Sequence, residues 1–170
     1  MVKLLYIFFL LWANTVALFA QSTVDPLVIS KMAPVLEFKD MDGKLISLEH
    51  LKGNVIVLNF WNIGCKGCEQ ERETLNWLSD SLKHQPIKFV SVTMNKEEKM
   101  TTWLEKHPIR YEFVGNVDFM GLTGPSFFNY RCMPTTVVID RKGVVQYNQC
   151  GPIIGSKEGR KFSALLTKWQ

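Results

Sequence analysis

The stretch Val55 to Leu82, VIVLNFWNIGCKGCEQERETLNWLSDSL, most constrains how this chain can fold. An apolar, β-branched run from Val55 to Phe60 breaks at Asn62 and Gly64, Cys65 and Cys68 follow, and apolar residues then recur at helical spacing. The pattern predicts a buried strand, a tight turn and a helix, with the turn at a sheet's carboxyl edge and Cys65 close to the first helical turn. Unpaired backbone N–H groups there stabilise a thiolate and lower a cysteine pKa from its usual value of about 8.5. Cys65 is therefore the candidate nucleophile and Cys68 its resolving partner, the two forming a candidate redox-active disulfide.

The helix carries a second signal. Cys68, Glu71, Leu75, Leu78 and Leu82 recur at three- and four-residue intervals, so they share a face that is apolar apart from its first two members. Glu71 thus points inward, where a carboxyl group resists ionising and becomes suited to take and return protons during thiol chemistry. The plainer alternative is a partly exposed first-turn glutamate favoured by the helix dipole.

Lys3 and the apolar run Leu4 to Trp12 open the chain, followed by smaller residues up to Ala20. The run is short for a membrane span, and residues 1–20 read as a secretory signal peptide. Cleavage after Ala17 fits the small-x-small rule through Thr15, and an uncleaved anchor extending to Phe19 is the alternative. Both place the remainder outside the cytosol, in the periplasm or secreted. Residues 21–31 read as a loose leader and 32–170 as one domain. The formal charge of +4 has no basic block, which argues against a nucleic-acid partner.

Met41-Asp42-Gly43-Lys44 marks a hairpin turn between an extended segment opened by Ala33-Pro34 and a return over Ile46 to Leu51. Ile87 to Thr93 reads as a second parallel strand. Asn95, with Glu98, reads as the cap of a helix whose face holds Met100, Trp103, Leu104 and His107 and which Pro108 ends. Tyr111 to Val114 reads as a short edge strand, and Gly115 to Arg131 as a short helix flanked by loops. The strand–helix succession argues for an α/β sheet with helices on both faces. Cys132 to Val145 reads as a hairpin about Asp140-Arg141-Lys142-Gly143, with Pro134 beginning its first strand and its isomer open. Phe162, Leu165, Leu166 and Trp169 predict a terminal helix over 156–170.

Ala33-Pro34, Asp42-Gly43-Lys44, Leu48 with Leu51-Lys52-Gly53, Asn59-Phe60-Trp61, Cys65-Lys66-Gly67-Cys68, Glu71, Pro134-Thr135-Thr136 and Ile139-Asp140 with Gly143 occur in one order. Together they resemble the TlpA/ResA-type thiol-disulfide oxidoreductases of the thioredoxin superfamily, from about Met32 to the end. The resemblance implies a thioredoxin fold, a central mixed β-sheet flanked by helices, with an added N-terminal β-hairpin. It implies a cis Pro134 facing the cysteines and a backbone edge at Met133 for a substrate's extended segment. It also implies Cys65 as the attacking cysteine, Cys68 as the resolving one and Glu71 as the family's buried glutamate. Gly64 stands where the family commonly has Trp, Glu73 where a helix-kinking Pro is common, and Asn59 where thioredoxin carries a buried Asp. The pair Lys66-Gly67 is also unusual, so the departures bear on substrate choice and redox potential.

On this reading Cys65 attacks a substrate disulfide, a mixed disulfide forms across the Pro134 loop, and Cys68 resolves it. Lys66 further favours the thiolate, and Trp61 packs against the turn or simply fills the core; with Gly67, Met133 and Pro134 they complete the expected substrate surface. Protein disulfides or thiols are the expected substrates, a membrane-bound electron donor the expected partner, and a monomer the expected state, with no cofactor or metal. Reduction, including clients of cytochrome c maturation or misoxidised envelope proteins, is the expected direction, with an oxidant or isomerase of the same fold as alternative. A metal site at the two cysteines and a redox-silent docking domain are alternatives of another class. Cys132 and Cys150 remain open among packed thiols, a structural or regulatory disulfide, and exchange of Cys132 with the active-site pair. With Pro134 opposite Cys150 in the hairpin, Cys132 lies diagonal and near the limit of disulfide reach.

Overall fold

Seven consecutive buried residues, Val55–Trp61, form strand β3 at the centre of the molecule. The structure, a computed structural model, describes residues 28–40, 43–117, 128 and 132–170. Before β3 come β1 (Glu37–Lys39) and β2 (Leu45–Ser47), an antiparallel hairpin that forms its own small sheet. After it come α1 (Lys66–Leu82), β4 (Ile87–Thr93), α2 (Glu97–Lys106) and β5 (Glu112–Val114). The chain ends with β6 (Thr135–Ile139), β7 (Val145–Cys150) and α3 (Gly155–Lys168). The second sheet runs β5-β4-β3-β6-β7; β4 is parallel to β3 and β5, whereas β6 is antiparallel to β3 and β7. This is the mixed sheet and added hairpin expected.

The two-residue period of β3 divides its side chains between two layers. Ile56, Leu58 and Phe60 pack with Phe38, Ile46 and Leu48 of the hairpin region, whereas Val55 and Val57 pack with Leu75, Leu78 and Leu82 of α1 and Phe162 and Leu166 of α3. The crossovers from β3 to β4 and from β4 to β5 step in the same direction, so their shared handedness puts α1 and α2 on one side of the sheet. Among the described residues the opposite side is covered by the hairpin together with Val28 and Phe128. The stretch expected to hold a short helix between Gly115 and Arg131 lies largely outside the described residues, as do Met41 and Asp42 of the first turn and residues 1–27.

Four sequence expectations change. The end of the expected loose leader is tied in: Val28 is buried, Ser30 N–H donates to Val145 O and Val145 N–H to Lys31 O. The return strand of the first hairpin stops at Ser47, because Ser47 O and Leu48 O accept from His50 and Leu51 N–H and curl the chain into turns. Asn95 does not cap α2: Lys96 holds the N-cap position without a side-chain bond, because the Asn95 amide oxygen already accepts from Ile63 N–H at 2.8 Å. Finally, the β6–β7 register slips at Val138/Ile139, so Thr135, not Pro134, pairs with Cys150.

Leu78 has no exposure and joins α1 to Val55 and Val57. Leu78→Ala is predicted to lower unfolding free energy by about 2–5 kcal/mol, the range for opening a cavity in a packed core. Urea denaturation at constant m-value checks it; a loss under about 1 kcal/mol would show that the α1 layer is loosely packed.

Candidate active site

Strands β3 and β4 end in register at Trp61 and Thr93, so the loops that follow them meet at the same sheet edge. Thr93 Oγ1 lies 3.1 Å from Asn62 Oδ1 and 2.9 Å from Asn95 Oδ1, and Asn95 also holds Ile63 N–H. Gly64 then takes φ +82, in the left-handed region where glycine carries no Cβ penalty. Asn62 O accepts from Cys65 N–H at 3.3 Å, closing the turn that delivers Cys65 to the N-cap of α1.

At that position the Cys65 sulfur accepts the Cys68 N–H at 3.2 Å, one of the donors that a helix start leaves without a backbone partner. Cys65 and Cys68 are joined in a disulfide with Cα atoms 5.2 Å apart. Cys65 is half-buried and Cys68 is buried, so the outer sulfur is the one a partner can approach. Lys66 is exposed beside it.

Gly67 lies beneath two proline rings. A Cβ added there would stand 3.3 Å from Pro134 Cδ and 3.4 Å from Pro152 Cγ, a tight fit that would push the two rings outward by a few tenths of an ångström, so glycine lets α1 start this close without displacing them. The Met133–Pro134 bond is cis, Pro134 is buried, and half-buried Met133 packs in the same cluster as Cys65 and Cys68. The structure thus brings Cys65, Cys68, Lys66, Gly67, Met133 and Pro134 to one place. Trp61 differs from the expectation of a substrate surface. It is 3% exposed, donates Nε1–H to Ser91 Oγ, and its ring lies 4.8 Å from that of Trp103, so it lines the core under the disulfide.

Glu71 is turned inward, as its helical phase predicts, and is 1% exposed. The odd-numbered face of β3 that buries Val55 and Val57 carries Asn59 to the same layer, where its Nδ2 donates to Glu71 Oε2 at 2.9 Å. Thr136, paired with Asn59 across β6, donates Oγ1–H to Oε1 at 3.4 Å, and Ile153 N–H donates to Oε1 at 3.0 Å. Burial raises the Glu71 pKa from 4.5 to about 7, and these three hydrogen bonds hold it from rising further. Burial and the Glu71 charge also push Tyr111 and Tyr147 upward, so both stay neutral around pH 7.

Nothing in the sequence points to Ile153 or Pro152, Asn95 suggests only a helix cap, and Asn59 stands out only as a departure. The polar break in an apolar strand, at the parity of Val55 and Val57, was the available sign for Asn59. Asn95 accepts from the distant Ile63 backbone N–H, and Ile153 contributes its own backbone N–H to the Glu71 carboxylate, contacts that leave no sequence pattern. Cys132 and Cys150 are paired, with Cα atoms 5.7 Å apart. Thr135 Oγ1–H donates to Cys132 O, so the chain folds back before β6 and does not extend the ladder on which the diagonal estimate rested. Among the described residues no cluster of His, Cys, Asp and Glu is arranged to hold a metal ion.

A thioredoxin fold with a CxxC disulfide at the head of its first helix, facing a cis proline, defines a thioredoxin-superfamily protein of the ResA/TlpA type. The AhpC/TSA family profile matches residues 29–148, and the chain belongs to that family. Thiol-disulfide oxidoreductase ResA of Bacillus cereus is 26% identical over 145 residues, spanning 85% of this chain and 80% of that one. Thiol:disulfide interchange protein DsbE of Vibrio cholerae is 27% identical over 133 residues, spanning 76% of this chain and 69% of its own. The thioredoxin domain of a thiol-disulfide oxidoreductase from Bacteroides vulgatus superposes with TM-score 0.71 at 18% identity, covering 82% of this chain and 99% of that one. With its Cys65–Cys68 pair, this chain is an enzyme of the thiol-disulfide oxidoreductase class.

The raised Glu71 pKa has a thermodynamic consequence. Between pH 4.5 and about 7 the folded state holds a proton that the unfolded chain has released, so stability falls as pH rises through that window. The loss is on the order of 3 kcal/mol. Denaturation of the oxidised protein from pH 4 to 8 is predicted to show this slope, and Glu71→Gln to remove it. A pH-independent difference between the two proteins would contradict a buried, titrating Glu71.

Proposed function

We propose that the protein is an extracytoplasmic reductase of protein disulfides, with Cys65 as nucleophile and Cys68 as resolving thiol. The observation that carries this reading is the half-buried Cys65, its sulfur held by a helix N–H beside the Met133–Pro134 segment, with Cys68 buried. In the reduced enzyme, Cys65 thiolate attacks a substrate disulfide, forms a mixed disulfide and expels one substrate thiolate, which takes a proton. Glu71 carboxylate, one helical turn from Cys68, accepts the Cys68 proton as that thiol attacks Cys65. This second step expels the other substrate thiolate and reforms the Cys65–Cys68 disulfide, so two electrons have passed to the substrate. Met133 offers backbone on which an extended substrate segment lies, Pro134 and Gly67 shape that seat, and Lys66 adds positive charge at its rim.

Residues 1–20 act, on this reading, as a signal peptide or as an anchor reaching Phe19, and a membrane-bound donor returns electrons to a monomeric domain over residues 32–170. The apolar run after Lys3 supports that location. Among the described residues no helix is long and apolar enough to cross a membrane. The reductive direction, with cytochrome c apoprotein thiols or misoxidised envelope proteins as clients, follows from the family resemblance.

Two measurements test the reading. Cys65→Ser is predicted to abolish insulin-disulfide reduction, while Cys68→Ser accumulates a mixed disulfide at Cys65; reduction that survives loss of both cysteines would refute the site. A glutathione titration of the Cys65/Cys68 couple is predicted to place its midpoint toward the thioredoxin end, about −270 mV, of the superfamily range. A midpoint near about −120 mV would identify an oxidant.

A further inference from the structure

The Cys132–Cys150 disulfide flanks the site just described without belonging to it. Cys132 is two residues before Pro134, and Cys150 is followed by Gly151-Pro152-Ile153. The two arms are tied again where Gly151 N–H donates to Pro134 O at 2.9 Å, and their prolines together enclose Gly67. Past Pro152, Ile153 N–H reaches Glu71 at 3.0 Å and Gly155 N–H reaches Thr74 Oγ1 at 3.0 Å. Gly151 and Gly155, at φ +109 and +81, bound this short segment with backbone that other residues rarely adopt. The segment is therefore a strap from β7 to α3, pinned at one end by the disulfide and laid across the first turns of α1.

We propose that Cys132 and Cys150 are positioning residues, whose disulfide keeps the Gly151–Gly155 strap on α1 and thereby keeps the Ile153 N–H on Glu71. With the bridge open, the Gly151 N–H, the Thr135–Cys150 end of the β6–β7 ladder and the buried Ile153 side chain still hold the strap. The covalent tie between its arms is gone, however, and its two glycines let the Ile153 N–H shift off Glu71. Opening takes a dithiol reductant: its two thiols become a disulfide, while the Cys132–Cys150 bond takes two electrons and two protons to become two thiols. Glu71 then loses one of three donors to its charged form and holds its proton more tightly. Fewer carboxylates remain ionised near neutrality to accept the Cys68 proton, which slows the resolving step. That last consequence rests on the proposed exchange role of Cys65 and Cys68; the link between bridge and carboxylate does not.

The other titratable groups around Glu71 do not supply the effect. Cys68 lies on the same helix and is disulfide-bonded in the oxidised protein. Tyr147 of β7 and Tyr111 before β5 interact with the Glu71 charge, and both are pushed upward, Tyr147 to about 12. Arg72 acts on Tyr111, and Glu158 of α3 acts on Tyr147 while binding Lys161.

The test follows the Glu71 side-chain carboxyl by 13C NMR against pH, in a protein carrying Cys65→Ser and Cys68→Ser so that reductant opens only the second bridge. Glu71→Gln in that background identifies the resonance. Dithiothreitol is expected to move its midpoint upward by about one pH unit, as loss of one hydrogen bond to a charged group predicts. Cys132→Ala with Cys150→Ala is expected to give the same displacement without reductant. An unchanged midpoint in either open form would overturn the proposal, and so would unfolding of the domain on opening, which would make the bridge a structural staple. No substrate enters the measurement, so a failure here and a failure of the reductase reading are told apart.

Discussion

One backbone N–H, that of Cys68, points at the sulfur of Cys65, and the chemistry of the site depends on that contact. A helix start has N–H groups that no carbonyl of its own satisfies, and the chain uses one of them on a side chain able to carry negative charge. The geometry requires that α1 begin at Lys66 and no earlier. Gly64 at positive φ, the Asn62 carbonyl on Cys65 N–H, and Asn95 on Ile63 N–H together fix that start. Residues remote from the sulfurs thus decide where the helix places them.

The alternation along β3 explains the rest of the site. Residues of one parity face the hairpin, while Val55, Val57, Asn59 and Trp61 face the helices. The first two fill the core, Asn59 meets Glu71, and Trp61 lies under the disulfide with Cys68 and Met100. A carboxyl buried among apolar residues resists ionisation, and three donors oppose that resistance without cancelling it. The balance leaves Glu71 titrating near neutrality beside a pair of cysteines whose exchange involves protons.

Long patterns made β3, β4 and α1 legible: a nearly unbroken apolar run in β3, a seven-residue stretch of mostly apolar residues in β4, and a 3.6-residue period sustained over the seventeen residues of α1. The inward turn of Glu71 followed from the same period. Asn95 misled because an Asn before a helix looks alike whether it caps that helix or reaches a distant loop, and the distant Ile63 N–H won. The Cys132–Cys150 pairing was obscured by the register slip at Val138/Ile139 and by the fold-back of Cys132 over Thr135. Neither carries a residue signature. The hydrogen bond from Ile153 to Glu71 is likewise invisible, since any residue but proline presents the same N–H.

The pH dependence of Cys65 alkylation in the fully reduced protein tests the central claim most directly. With a helix N–H on its sulfur, Cys65 is predicted to react with iodoacetamide along a titration curve whose midpoint lies below the free-thiol value of about 8.5, while buried Cys68 reacts slowly. A Cys65 midpoint at or above that value, or faster labelling of Cys68, would contradict the account.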